Sequence, residues 1–165
     1  KGLEVLLQAF RKISERNDVV LRIVGDGNFA PYAPLLTGLK HVEVVNRWIA
    51  EHEVADFFRE VDLVVLPYTS ASQSGVIPIA AMFQLPVIAT HTGGLPEQIA
   101  DGETGVLVMP GSVEQLSAAI EYLLDSPVER SRLGLNLYQE YRDHKNWSNT
   151  AQKIFVICEK IVGES

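Results

Sequence analysis

Three glycine- or hydroxyl-rich stretches carry residues whose types and spacing suit chemistry, and each follows an apolar run. Gly25-Asp26-Gly27-Asn28-Phe29-Ala30 formally matches G-x-G-x-x-A, the turn by which a strand–helix junction approaches a pyrophosphate. A dinucleotide fingerprint opens a helix directly and needs an acidic residue at the end of the next strand, where this chain has Asn46 and Arg47. Asp26 would also set a carboxylate beside the pyrophosphate. These mismatches favour a structural turn, with an NAD-binding module as the outlying alternative.

Pro67-Tyr68-Thr69-Ser70-Ala71-Ser72-Gln73-Ser74-Gly75-Val76 leaves an apolar strand and enters a helix near Gly75. Its hydroxyls, its amide and its glycine could turn backbone N–H groups toward a phosphate or a sugar, with the helix dipole adding attraction. The competing reading is a plain helix start capped by Ser72 or Ser74, which needs no ligand. His91-Thr92-Gly93-Gly94-Leu95-Pro96-Glu97 also follows a strand. Its glycine pair would let backbone approach a ligand or a second domain closely, and Pro96 and Glu97 suit the first turn of a short helix. Glu97 could equally do no more than complement that helix's dipole.

Metal and thiol chemistry find no such support. His41, His52, His91 and His144 are scattered without ligand spacing, and no Asp-x-Asp pair is present, so neither a metal nor another cofactor is expected. The single Cys158 excludes an intramolecular disulfide, and on the apolar stripe of a helix it reads as a small buried hydrophobe. A reducing compartment, the cytoplasm, follows as the expectation.

The elements that must position these loops are legible from periodicity. Leu3, Leu6, Leu7, Phe10 and Ile13 form the apolar face of a helix over the first sixteen residues. Five runs, Val19 to Val24, Val42 to Val45, Leu63 to Leu66, Val87 to Ala89 and Val106 to Val108, barely alternate, as strands covered on both faces do. Helices marked by Val54, Phe57 and Phe58 and by Ile79 to Phe83 separate strands. Ser112-Val113-Glu114-Gln115 opens a further helix with a capping box. Helical stretches follow from Val128 to Tyr141 and through Ala151, Ile154, Phe155, Cys158, Ile161 and Val162. The fold class expected is α/β, an open doubly wound parallel sheet with extra C-terminal helices, whose ligands bind outside the carboxyl ends of the strands.

A chain of 165 residues with 47% hydrophobic and 21% charged residues suits one domain, residues 1–165, with a buried core. Fourteen Lys and Arg against 21 Asp and Glu give a net charge of −7, with no basic cluster, so a nucleic-acid partner is not expected. No apolar run approaches the ~20 residues of a membrane helix. The opening Lys1-Gly2, without Met and directly before a helix, suggests a fragment of a two-lobed protein.

Taken in order, Lys1-Gly2, Val24-Gly25-Asp26-Gly27, a strand ending near Asn46, Asp62 to Pro67, the Ser-rich loop with Gly75, Ala81-Met82, Pro86 to Thr90, Gly93-Gly94-Leu95-Pro96-Glu97 and Asp101 to Val108 resemble the C-terminal lobe of family 4 retaining glycosyltransferases of the GT-B fold. The resemblance implies a nucleotide-sugar donor held by this lobe, and a glycan or lipid-linked acceptor bound largely by an N-terminal lobe. That second lobe could also attach the protein peripherally to a membrane. Lys1 matches the lysine that neutralises the donor diphosphate. Ser72, Gln73, Ser74, Gly75 and Val76 fall on the loop that approaches the donor, Gly75 and Val76 by their backbone N–H groups. Asn46, Arg47 and Trp48 fall near the nucleobase pocket, and Gly93, Gly94 and Glu97 are candidate cleft contacts. The family's Glu-x7-Glu pair aligns with Ser72 and Ala80, so both carboxylates are absent, at about 1.5–3 kcal/mol per lost charged hydrogen bond. Gln73 is the expected substitute. An active transferase and a non-catalytic sugar-nucleotide binder or accessory subunit are the two readings that remain.

Overall fold

A computed structural model describes residues 1–145. The helical stretch expected from Ala151 to Val162, with Cys158, lies outside the described residues. Twelve principal elements follow the order α1 (Leu3–Arg11), β1 (Leu21–Gly25), α2 (Ala33–Leu36), β2 (Val42–Asn46), α3 (Glu51–Arg59), β3 (Val64–Leu66), α4 (Val76–Met82), β4 (Val87–Thr90), α5 (Leu95–Gln98), β5 (Val106–Val108), α6 (Val113–Asp125) and α7 (Pro127–Asp143). All five apolar runs coincide with strands, and β1, β2 and β4 each extend one residue further. The first helix is shorter than its periodicity suggests: α1 ends at Arg11, and turns carry the chain past Ile13.

Every strand pair is parallel, and the ladders form two blocks, β1-β2 and β3-β4-β5, rather than the single sheet expected. Packing links the blocks. Leu21 and Val42 from the first, and Val65, Ile88, Val106 and Val108 from the second, meet one apolar cluster with Leu6, Phe10 and Ile13 following or within α1 and with Leu116, Ile120 and Leu123 of α6. The alternate residues Val64, Leu66, Val87, Ala89 and Leu107 meet a second cluster with Ile77 and Ala81 of α4, Leu95 of α5 and Leu137 of α7. A period of two along β3, β4 and β5 thus divides the strands between two helical layers, the doubly wound arrangement.

Coverage is uneven. All four residues of β4 are buried, whereas Val24 and Val44 in the first block are 39% and 37% exposed. The expectation of strands covered on both faces therefore holds for the centre of the second block and fails for β1 and β2. In α6, Ser112 caps as expected, its Oγ accepting from the Gln115 N–H at 3.2 Å. Gln115 does not complete a capping box: its Oε1 accepts from the Met109 N–H at 2.8 Å instead.

Candidate functional site

The carboxyl end of β3 runs directly into Pro67 and Tyr68, and the hydroxyl of buried Thr90 at the end of β4 donates to the Tyr68 carbonyl at 2.5 Å. Gly2 sits against the same corner. Its φ of 77° is left-handed, and a Cβ there would lie 1.6 Å from the Pro67 carbonyl oxygen, so only glycine lets the chain pass this close. The approach sets the Lys1 ammonium over the Tyr68 ring, 5.0 Å from its centroid.

An open cavity of about 490 Å³ lies at this corner. It is lined by Lys1, Tyr68 and the loop and first helical turn from Ser70 to Val76, together with Ile79. Lys1 brings the one charged side chain to that lining, and no carboxylate opposes it. A cavity with one ammonium, hydroxyls and an amide suits a phosphorylated, sugar-bearing ligand. The backbone of the loop is partly committed already. Ser74, only 4% exposed, donates its N–H to Gln98 Oε1 at 2.7 Å, and its hydroxyl accepts from the Val76 N–H at 3.3 Å. Among the hydrogen bonds of the described residues, the Gly75 N–H has no protein acceptor. A Cβ on Gly75 would meet nothing within 4 Å, and its φ of −68° is ordinary, so neither conformation nor internal packing requires glycine there. Open space at the Gly75 Cα, beside an unengaged N–H, leaves room for a ligand to come close.

The structure therefore brings together Lys1, Ser72, Gln73, Ser74, Gly75 and Val76. It does not bring the other expected residues to the cavity. Arg47 is held by Glu53, with Nη1 and Nη2 donating to the carboxylate at 2.9 and 2.6 Å, and that carboxylate also accepts from the Ala50 N–H at the start of α3. Trp48 is 78% exposed, and neither it nor Asn46 is part of the lining. Gly93 and Gly94 serve an internal approach: a Cβ on Gly93 would fall 1.5 Å from the Ala71 carbonyl oxygen, and one on Gly94 2.1 Å from that of Ser72. The Gly94 N–H donates to the Ser72 carbonyl at 3.0 Å. This pair seats the cavity loop, and Glu97 is an exposed residue of α5.

Of the two positions aligned with the family's carboxylates, Ser72 lines the cavity and Ala80 does not. Ala80 is fully buried in the core, because it lies on the face of α4 turned to the strands. The pair at the same spacing that does line the cavity is Ala71 and Ile79, one residue earlier. Both are apolar, so no carboxylate stands at either register. Tyr68, Ser70 and Ala71, which belong to the hydroxyl-rich stretch but carry no donor role in the resemblance, and Ile79, expected only as part of a helix, complete the lining. The Gly25–Ala30 stretch does not form a strand-to-helix turn: after β1 the chain passes through an Asn28 turn, its Oδ1 accepting from the Ala30 N–H at 3.1 Å, into a 3-10 segment at Ala30–Tyr32.

A parallel α/β lobe with a polar cavity outside the carboxyl end of β3 defines a Rossmann-like domain. The chain belongs to the Glycosyl transferases group 1 family, whose profile matches residues 1–126. It is 29% identical to the MMP alpha-(1->4)-mannosyltransferase of Mycolicibacterium hassiacum, over 98% of this chain and 40% of that protein. Identity to the D-inositol 3-phosphate glycosyltransferase of Corynebacterium aurimucosum is 34%, over 81% of this chain and 34% of that one. The chain thus spans about two fifths or less of the length of these curated relatives.

Solved structures agree on the fold. Anabaena Alr3699/HepE in complex with UDP superposes with a TM-score of 0.84 at 21% identity, over 97% of this chain and 45% of that one. The C-terminal domain of LpcC, a glycosyl transferase group 1 family protein from Francisella tularensis, gives 0.81 at 22% identity, over 89% and 80%. The fold is that of GT-B glycosyltransferase C-terminal domains. These relatives are named as transferases, and nothing in the comparisons supports the non-catalytic accessory reading. No helix among the described residues is long and apolar enough to cross a membrane, and none of their His, Cys, Asp and Glu side chains group as metal ligands.

Proposed function

We propose that this chain is the donor-binding lobe of a retaining glycosyltransferase, which moves a hexose from a nucleotide-diphosphate sugar to a glycan or lipid-linked acceptor held by an N-terminal lobe. The observation that carries the reading is the cavity beside β3, where Lys1 and the Ser72–Val76 loop converge without an opposing carboxylate in a chain of net charge −7. The Lys1 ammonium neutralises the diphosphate, the Gly75 N–H donates to a phosphate or sugar oxygen, and the Gln73 amide, able to donate and accept, binds sugar hydroxyls. No carboxylate in the lining offers itself as a covalent nucleophile. Transfer then proceeds on one face: the acceptor oxygen bonds to the anomeric carbon as the bond from that carbon to the phosphate oxygen breaks, and the departing phosphate takes the acceptor's proton. The lobe's share of catalysis is orientation and charge stabilisation.

Titrating UDP, GDP, UDP-sugars, GDP-mannose and NAD into the protein while following backbone amides tests this. Nucleoside diphosphates are expected to move Gln73, Ser74, Gly75 and Val76, with NAD leaving them in place. NAD moving Gly25 and Gly27, with no diphosphate effect, would overturn the reading. In the full-length protein, Gln73→Ala is expected to lower donor turnover at least tenfold, roughly 1.4 kcal/mol, and Ser72→Ala less. Turnover is expected to survive EDTA.

A further inference from the structure

Gln98, at the end of α5, lies outside the cavity and nevertheless controls its loop. Its side-chain amide pairs with the backbone of Ser74 at two points: Oε1 accepts from the Ser74 N–H at 2.7 Å, and Nε2 donates to the Ser74 carbonyl at 3.0 Å. The remaining Nε2 hydrogen reaches the Tyr141 hydroxyl of α7 at 3.3 Å. Burial pushes the Tyr141 hydroxyl's pKa up, which keeps it a neutral partner. Lys145, just past α7, donates to the carbonyls of Glu97 and Gln98 at 2.9 and 3.1 Å, so the C-terminal end of α7 holds the end of α5.

The geometry of the peptide bond gives this clamp its meaning. A trans peptide points its C=O and N–H in opposite directions. With the Ser74 carbonyl drawn to Gln98, the N–H of the same peptide, that of Gly75, must point away from α5. With the Ser74 N–H also drawn to Gln98, the Gln73 carbonyl points away as well. Gln73 and Gly75 both line the cavity. We infer that Gln98 is a positioning residue for the donor, fixing a donor–acceptor pair, the Gly75 N–H and the Gln73 C=O, toward the ligand. Only a carboxamide can do this, since it must accept from one backbone group and donate to the other. A carboxylate would set an oxygen against the Ser74 carbonyl, and an aliphatic side chain would leave both backbone groups unpaired. The inference rests on the donor-site reading above and adds to it a residue that touches no ligand.

The experiment uses the full-length protein with UDP and a UDP-sugar as probes. Gln98→Glu, equal in size, is expected to shift the Ser74 and Gly75 amide resonances, to raise Kd for UDP and KM for the donor about tenfold, and to leave KM for the acceptor near wild type. Tyr141→Phe, which removes only the outer hydrogen bond, is expected to raise the donor KM two- to threefold, and it keeps the inference testable should Gln98→Glu not fold. Unchanged donor KM in a folded Gln98→Glu with displaced Ser74 and Gly75 resonances, or in Tyr141→Phe where that is the variant measured, would overturn the positioning role and leave the donor site standing. Wild-type protein that binds no UDP at residues 73–76 would instead overturn the donor site itself, and the positioning role with it.

Discussion

Gly75 and Gly93 flank one loop yet should respond in opposite ways to the same added methyl group. At Gly93, a φ of 53° places the residue in the left-handed region, which costs a non-glycine residue about 1–2 kcal/mol. The new Cβ would also sit 1.5 Å from the Ala71 carbonyl oxygen, a backbone atom with little room to retreat. The loop must then move off its seat, and the combined cost of strain and displacement is about 2–4 kcal/mol. For a domain of this size a loss of about 3 kcal/mol lowers Tm by about 6–12 °C. Gly75→Ala meets no atom within 4 Å and keeps an ordinary φ of −68°, so its stability should match or exceed wild type by up to about 1 kcal/mol, through a less flexible unfolded chain. Its methyl group, however, projects where the ligand must come close, and UDP affinity should fall at least tenfold, about 1.4 kcal/mol. Calorimetric melting and isothermal titration with UDP on both variants separate the two effects. Wild-type UDP affinity in Gly75→Ala, or wild-type Tm in Gly93→Ala, would refute the reasoning.

Two further outcomes follow from polar contacts away from the cavity. The Arg47 guanidinium, with the Ala50 N–H second, holds the Glu53 carboxyl at a pKa of about 2. A depressed carboxyl pKa contributes stability above the ordinary value of 4.5 that is lost as pH falls from there toward 2. Carbon-detected NMR titration of Glu53 should therefore show a midpoint near 2 in the wild type and a return toward the ordinary range in Arg47→Gln. At the end of α6, Arg130 Nη1 donates to the carbonyls of Leu123 and Leu124 at 2.6 and 2.7 Å. Arg130→Met should cost about 1–3 kcal/mol, read from the urea midpoint.

The strands and the two helical layers were legible because they follow from periodicity, which short-range spacing encodes directly. Val64 and Leu66 face one layer and Val65 the other, as a period of two requires. The hydroxyls, amide and glycine between a buried strand and a helix were legible as a loop, but the same residues suit a plain capped helix start, and the Ser74 hydroxyl does accept from the Val76 N–H. What spacing could not convey was rotation about a helix axis. One residue of offset in α4 is a turn of 100°, enough to send Ala80 into the core and leave Ile79 at the cavity. The glycine pair at 93 and 94 was recognised as a site of close approach, but the sequence does not say what approaches, and the answer is the chain's own backbone at Ala71 and Ser72. Gln98 carried no local signal at all, because its partners lie 24 and 43 residues away.

The two parallel ladders have a colloidal consequence. Each ends in a strand with no further partner strand in its own ladder, where another chain could add one. Charge is the visible defence on the first block, where Arg22 bridges Glu43 and Glu60 at 2.8 and 2.6 Å beside the exposed Val24. The wider defence is mutual repulsion between molecules of net charge −7, and it disappears near the isoelectric point of about 5.1. Purification through mildly acidic buffer would remove that repulsion while the edges stay open, so the chain should remain dispersed above neutrality and self-associate near pH 5.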